Sequence, residues 1–180
     1  MAVLAALACT TFSVPSQGSG LTTTMLCMVN NLRQTEGLPA LGYNSDLESV
    51  ARSHSNDMAS MDTLSHTGSD GTSPAQRIGS CGYDGNASAE NVAYGSSDLN
   101  QIFNMWKASP GHLANMMDPT MTHFGFGYST GSDGNVYYTQ DFGGDGQTHD
   151  FDACPRGNGD GVSHGAQNVW SKQGGKQYYN

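Results

Sequence analysis

Residues 124–142 read FGFGYSTGSDGNVYYTQDF, and this stretch decides the fold. Phe124, Phe126 and Tyr128 alternate with glycine or polar residues, the period of two that puts every second side chain on one face of a strand. Val136 to Phe142 is rich in β-branched and aromatic strand formers. Between the two runs, Ser129-Thr-Gly-Ser-Asp-Gly-Asn135 supplies turn residues, so the whole reads as an antiparallel hairpin.

Upstream the period is helical. From Thr22 to Gln34, Met25, Met28, Val29 and Leu32 recur at i, i+3, i+4 and i+7, and Gly37 and Pro39 close the helix. A second helix opens at Ser45-Asp-Leu-Glu48, which has the form of a capping box, and carries the stripe Leu47, Val50, Ala51, His54, Met58. On that stripe His54 reads as a hydrogen-bonded core residue. Ser97 is the expected cap of a third helix bearing Leu99, Ile102, Phe103 and Trp106, and Pro110 suits the first turn of a short fourth helix around His112. Helices followed by a strand pair with two faces to cover predict an α+β domain, a three-layer α-β-α sandwich with a central antiparallel sheet over residues 22–143. Trp106, Phe103, Leu47 and Val50 are its expected core.

At 180 residues the chain suits one core. Its 16 acidic against 7 basic residues give a formal charge of -9, which repels phosphate backbones and anionic lipid, so no nucleic-acid partner is expected. An apolar run from Ala2 to Val14 reads as a secretory signal peptide or its remnant over residues 1–20, too short to span a membrane, and no later stretch is long enough. An extracellular monomer follows as the expectation. Residues 144–180 are Gly-rich and poor in apolar groups, the composition of a flexible tail, with Cys154 as a candidate anchor. In an oxidising compartment most of Cys9, Cys27, Cys81 and Cys154 should pair. Removal of Cys9 with the leader leaves three, its retention allows three connectivities, and the sequence does not choose.

Five segments in order carry a resemblance: Ala51-Arg-Ser-His54-Ser-Asn-Asp-Met58; Leu64-Ser-His66-Thr-Gly-Ser-Asp-Gly71 with Arg77-Ile78; Ala89-Glu90-Asn91-Val92-Ala93; Trp106-Lys-Ala-Ser-Pro-Gly-His112-Leu-Ala-Asn115; and the strand pair. Together they resemble the CAP superfamily of cysteine-rich secretory, antigen 5 and pathogenesis-related proteins, in its bacterial, fungal and oomycete form. The resemblance implies a groove lined by His66, Glu90 and His112, with Ser109 standing where plant and animal members carry a second glutamate. His66 and His112 with the Glu90 carboxylate are then candidates to hold Zn²⁺ or Mg²⁺, weakly for want of that second carboxylate.

The implied function is a non-enzymatic binding or effector module for an extracellular ligand: a cell-wall component, a host protein or a small lipid. A lipid or sterol carrier is the alternative, although the short link from Trp106 to His112 lacks the aromatic loop of sterol-binding relatives. A cleft under Met116, Met117 and Met121 is the other place for a lipid, with core packing the expected use of these methionines. A secreted hydrolase is the second alternative, with Ser65 or Ser109 beside a histidine as the only nucleophile pair to draw. Asn86-Ala-Ser88 is an N-glycan acceptor motif. His123, His149 and His164 read as surface residues without a role.

Overall fold

The computed structural model describes residues 20–154 and the backbone of two further strands. In chain order it contains α1 (Gly20–Thr35), β1 (Gly42–Tyr43), α2 (Ser45–Ser60), α3 (Pro74–Ser80), β2 (Ala87–Gly95), α4 (Leu99–Ala108), α5 (Pro110–Met117), β3 (His123–Thr130), β4 (Val136–Gly144), β5 (Trp170–Gln173) and β6 (Lys176–Tyr179). Cys9, His164 and, except for Gly20, the expected leader lie outside the described residues.

The four-stranded sheet runs β1-β3-β4-β2. β3–β4 and β4–β2 pair antiparallel, and the β3–β4 turn closes through Gly131 N–H to Asn135 O. The sheet is mixed rather than purely antiparallel, because the two residues of β1 pair parallel to β3. Each face is covered. Gly125 and Gly127 point at α2: a Cβ on Gly125 would lie 2.1 Å from the Leu47 carbonyl carbon, and one on Gly127 2.3 Å from that of Ala51. The Phe-Gly-Phe-Gly alternation thus lets a helix backbone rest directly on the strand. On the opposite face Phe124, Phe126, Tyr138 and Phe142 pack with Met25, Leu26 and Val29 of α1, Ile102, Phe103 and Trp106 of α4, and Met116 of α5. The domain is therefore an α-β-α sandwich, with Trp106, Phe103, Leu47 and Val50 all buried and the Trp106 indole N–H donating to Val92 O at 3.1 Å.

Several local expectations differ from what forms. Asn44, not Ser45, caps α2, accepting from the N–H groups of Asp46 and Leu47. Glu48 is fully buried, accepting from the Thr22 hydroxyl and the Tyr43 hydroxyl, both at 2.6 Å. The capping box sits instead at α3, between Ser73 and Gln76. Asp98 rather than Ser97 caps α4. Met28 and Leu32 of α1 pack only at the rim, while Leu26 is in the core. Met116 and Met121 are also core residues, as packing rather than a lipid cleft would have them.

Buried Arg33 binds the turn between α5 and β3: its guanidinium donates to the carbonyls of Met116, Asp118 and Met121, and to Pro39. It satisfies carbonyls that the end of α5 leaves without helical partners.

Beyond β4, residues 145–154 stay against the domain. Phe151 lies against Gly42, where a Cβ would come within 2.5 Å of its ring, and Asn30 donates to Ala153 O at 3.0 Å. Cys154 is thereby brought near Cys27 on α1; both are free thiols, and their proximity pushes the Cys27 thiol up and draws the Cys154 thiol down. β5 and β6 form a separate antiparallel pair.

Candidate functional site

The centre of the site is Glu90, in the edge strand β2, with a side chain only 1% exposed. A buried carboxylate needs charge partners and hydrogen bonds, and both oxygens have them. His66 Nδ1 lies 2.8 Å from Oε1, and Arg77 Nη2 donates to Oε2 at 2.7 Å. His66 comes from the loop after α2 and Arg77 from α3.

The loop is held in place from two sides. Arg77 donates to the carbonyls of His66 and Thr72, at 3.1 and 2.8 Å. From α2, the Asp57 carboxylate accepts from Ser69, and His54 Nε2 donates to Ser65 O at 2.8 Å. That bond fixes the His54 tautomer, and the same nitrogen is 3.8 Å from Glu90. His54 is a core residue as expected, but one built into the site. Burial lowers its affinity for a proton, so it stays neutral.

His66 behaves differently. Its side chain is 52% exposed, and the hydrogen bond to Glu90 raises its pKa above the ordinary 6.5. His112, half-buried on α5, is shifted down, by burial first and then by the charge of His66. The α5 helix is docked on β2 by amides: Asn115 donates to Glu90 O and to Asn91 Oδ1, while Asn91 donates to His112 O and to Gln140. Ser109 is the half-buried joint between α4 and α5 and makes no side-chain cap bond. Asn86 is exposed in the turn before β2.

Three further residues of the site carry no signal in the sequence alone: Arg77, Asn91 and Asp141. Asn91 and Arg77 stand inside quoted motifs, but only the fold reveals that α3 crosses to Glu90. Asp141 is the register partner of Glu90 on β4, fully buried, with no donor to either oxygen among the described residues. Burial and then the Glu90 charge push its carboxyl well up, so it is held as the neutral acid. A second carboxyl thus does stand beside Glu90, contributed by the sheet rather than by the position of Ser109.

The family model described as CAP, cysteine-rich secretory protein family, matches residues 26–142, and the chain belongs to this family. It is 32% identical over 119 residues to the uncharacterized protein YkwD of Bacillus subtilis, a match covering 66% of this chain and 46% of that protein, so the chain spans about half of this relative's length. Among solved structures it is similar to an outer surface protein from Borrelia burgdorferi, with TM-score 0.63 and 26% identity, over 68% of this chain and 90% of that one. It is also similar to an extracellular protein containing a SCP domain from Bacillus anthracis, with TM-score 0.62 and 27% identity, over 69% and 40% of the two chains. No helix among the described residues is long and apolar enough to cross a membrane.

Proposed function

We propose that this is a secreted, non-enzymatic CAP module that binds a polar extracellular ligand, such as a cell-wall glycan, at the groove over His66. One observation carries the reading: a half-exposed imidazole stands above a carboxylate that is 1% exposed and paired on both oxygens. A ring fixed through Nδ1 offers its other nitrogen to a ligand, as an acceptor when neutral and as a donor when protonated. The extracellular and outer-surface descriptions of similar structures support secretion.

Against a hydrolase, the Ser65 hydroxyl is engaged with Thr67 of its own loop, donating to its carbonyl and accepting from its N–H, both at 2.9 Å, rather than with His66. Against a metal held by His66 and His112, Arg77 already neutralises Glu90, so Zn²⁺ or Mg²⁺ there should be weak. Against a sterol carrier, only Ser109 separates α4 from α5, leaving no apolar loop at the groove.

Calorimetric titration with soluble peptidoglycan and chitin fragments tests the proposal. Wild type should bind at least one of them, and His66→Ala should weaken that binding about tenfold or more. Equal binding by both forms, or submicromolar ergosterol binding in place of glycan binding, would overturn it.

A further inference from the structure

A second group of ligating side chains lies on the same face of the sheet as Glu90 but toward the other edge. Register places it: Glu90 pairs with Asp141, Asp141 with Gly125, and His123 is two residues before Gly125 on β3. Asp145 directly follows β4, and His149 lies four residues further on. We propose that His123, Asp145 and His149 form a binding site for a divalent transition metal, with zinc the best match.

The geometry comes first. His149 Nε2 is 2.8 Å from Asp145 Oδ2, His123 Nδ1 is 3.9 Å from the same oxygen, and one ligand atom from each residue lies within 4.8 Å of the others. Tetrahedral zinc with bonds of about 2.0–2.1 Å holds neighbouring ligand atoms about 3.3 Å apart. The observed spacings straddle that value, so modest side-chain rotation closes the site.

The ligands are also oriented from behind. Asp145 Oδ1 is engaged by the Gln147 N–H at 2.9 Å and the Thr122 hydroxyl at 3.1 Å, which leaves Oδ2 for the two imidazoles. The His149 ring stacks on Phe151 with centroids 4.8 Å apart, and His123 meets the edges of Phe151 and Tyr83. Tyr83 in turn covers Gly143, where a Cβ would come within 2.3 Å of its ring. Such outer contacts are what fix the direction of metal ligands.

Two hydroxyls now lie beside His123 Nδ1, Thr122 Oγ1 at 2.9 Å and Tyr83 OH at 3.2 Å. Thr122 has one proton and gives it to Asp145 Oδ1, so once the ring proton of His123 sits on Nε2 the Nδ1 lone pair is open to the metal. The Tyr83 hydroxyl is then placed to bond a water in the fourth position. That position faces solvent: the His123, Asp145 and His149 side chains are 14, 19 and 29% exposed, and a cleft of about 130 Å³ lined by Pro39, Met121, Thr122 and His149 opens beside them. Two imidazoles and one carboxylate suit zinc and its neighbours, whereas Mg²⁺ prefers an all-oxygen shell.

The test is calorimetry on the full chain, stripped with chelator, using ZnCl₂ and MgCl₂, with Co²⁺ absorption as the reporter of tetrahedral geometry. The expected result is one Zn²⁺ per chain, little heat from Mg²⁺, and intense cobalt bands in the visible. His149→Gln and Asp145→Asn should each weaken Zn²⁺ at least tenfold and erase the cobalt bands, while His66→Ala leaves both intact. Circular dichroism establishes that each variant is folded. Should one fail to fold, the other decides, and zinc should also raise the melting temperature of wild type but not of the folded variant. No zinc uptake by wild type, uptake unchanged in His149→Gln, or uptake lost in His66→Ala would each overturn the proposal.

Discussion

Glu90 shows how a single buried charge organises its neighbourhood. Removing Arg77 would leave the carboxylate facing Asp141 with only histidine for company, so Arg77→Met should destabilise the domain by about 3 kcal/mol, near the lower end for breaking a buried ion pair; urea titration would measure it, and a loss under about 1 kcal/mol would mean that Glu90 finds other partners. The imidazole of His66 predicts a pH dependence. Its folded pKa is raised, so the folded chain holds that proton more tightly than the unfolded one. The stabilisation is fully present below the ordinary value of 6.5 and fades as pH climbs through the raised one. His54, His112 and His123 are shifted down and act in the opposite sense, so the clean observable is wild type minus His66→Gln. That difference should shrink as pH rises from about 5.5 to 8; a constant difference would refute the link to Glu90. At this scale the ordered motifs brought His66 and Glu90 forward through the resemblance they carry, and the fold sets the two 2.8 Å apart. Arg77 and Asp141 were not brought forward, since their meaning depends on which strand and helix come to lie beside Glu90.

The hairpin was legible because two signals agree in it, alternation and turn chemistry. Its glycines carry a further meaning that only packing reveals. With a Cβ at Gly127 pressed against Ala51 and Arg52 of α2, Gly127→Ala should destabilise at the upper end of about 1–3 kcal/mol, since backbone on both sides leaves little room to yield. A near-neutral result in thermal melting would mean that α2 floats on the sheet. β2 was missed as a strand. Its sequence, Ala87 to Gly95, contains Ala, Asn and Glu, poor strand formers, and it is extended because β4 pairs with it along its length. The Ser45–Glu48 box failed for a related reason: Glu48 does more for the fold by accepting from Thr22 and Tyr43 than by closing a helix end. Local pattern and tertiary demand competed there, and burial decided.

Over the described residues, composition is a coarse guide to how the segment after β4 packs. Asp-rich residues 145–154 are held by a few well-placed contacts, Phe151 on Gly42 and Asn30 on Ala153, which average hydropathy does not register. Those contacts bring Cys27 and Cys154 together, so protein prepared under dissolved oxygen should contain this disulfide, two thiols giving up two protons and two electrons to the oxidant. Peptide mapping without reductant would detect it; closing so long a loop should stabilise by about 2–4 kcal/mol. Both thiols remaining free after air oxidation would show that the segment stands off from α1.

Sheet, helices and loop converge on the His66–Glu90 pair, and the pairing is what makes His66 sensitive to protons. Imidazole NMR across a pH titration tests it most directly. The expected result is His66 titrating above 6.5 and His112 below, with Glu90→Gln moving His66 downward. Contradiction would be a His66 that titrates at or below His112, or one that Glu90→Gln leaves unmoved.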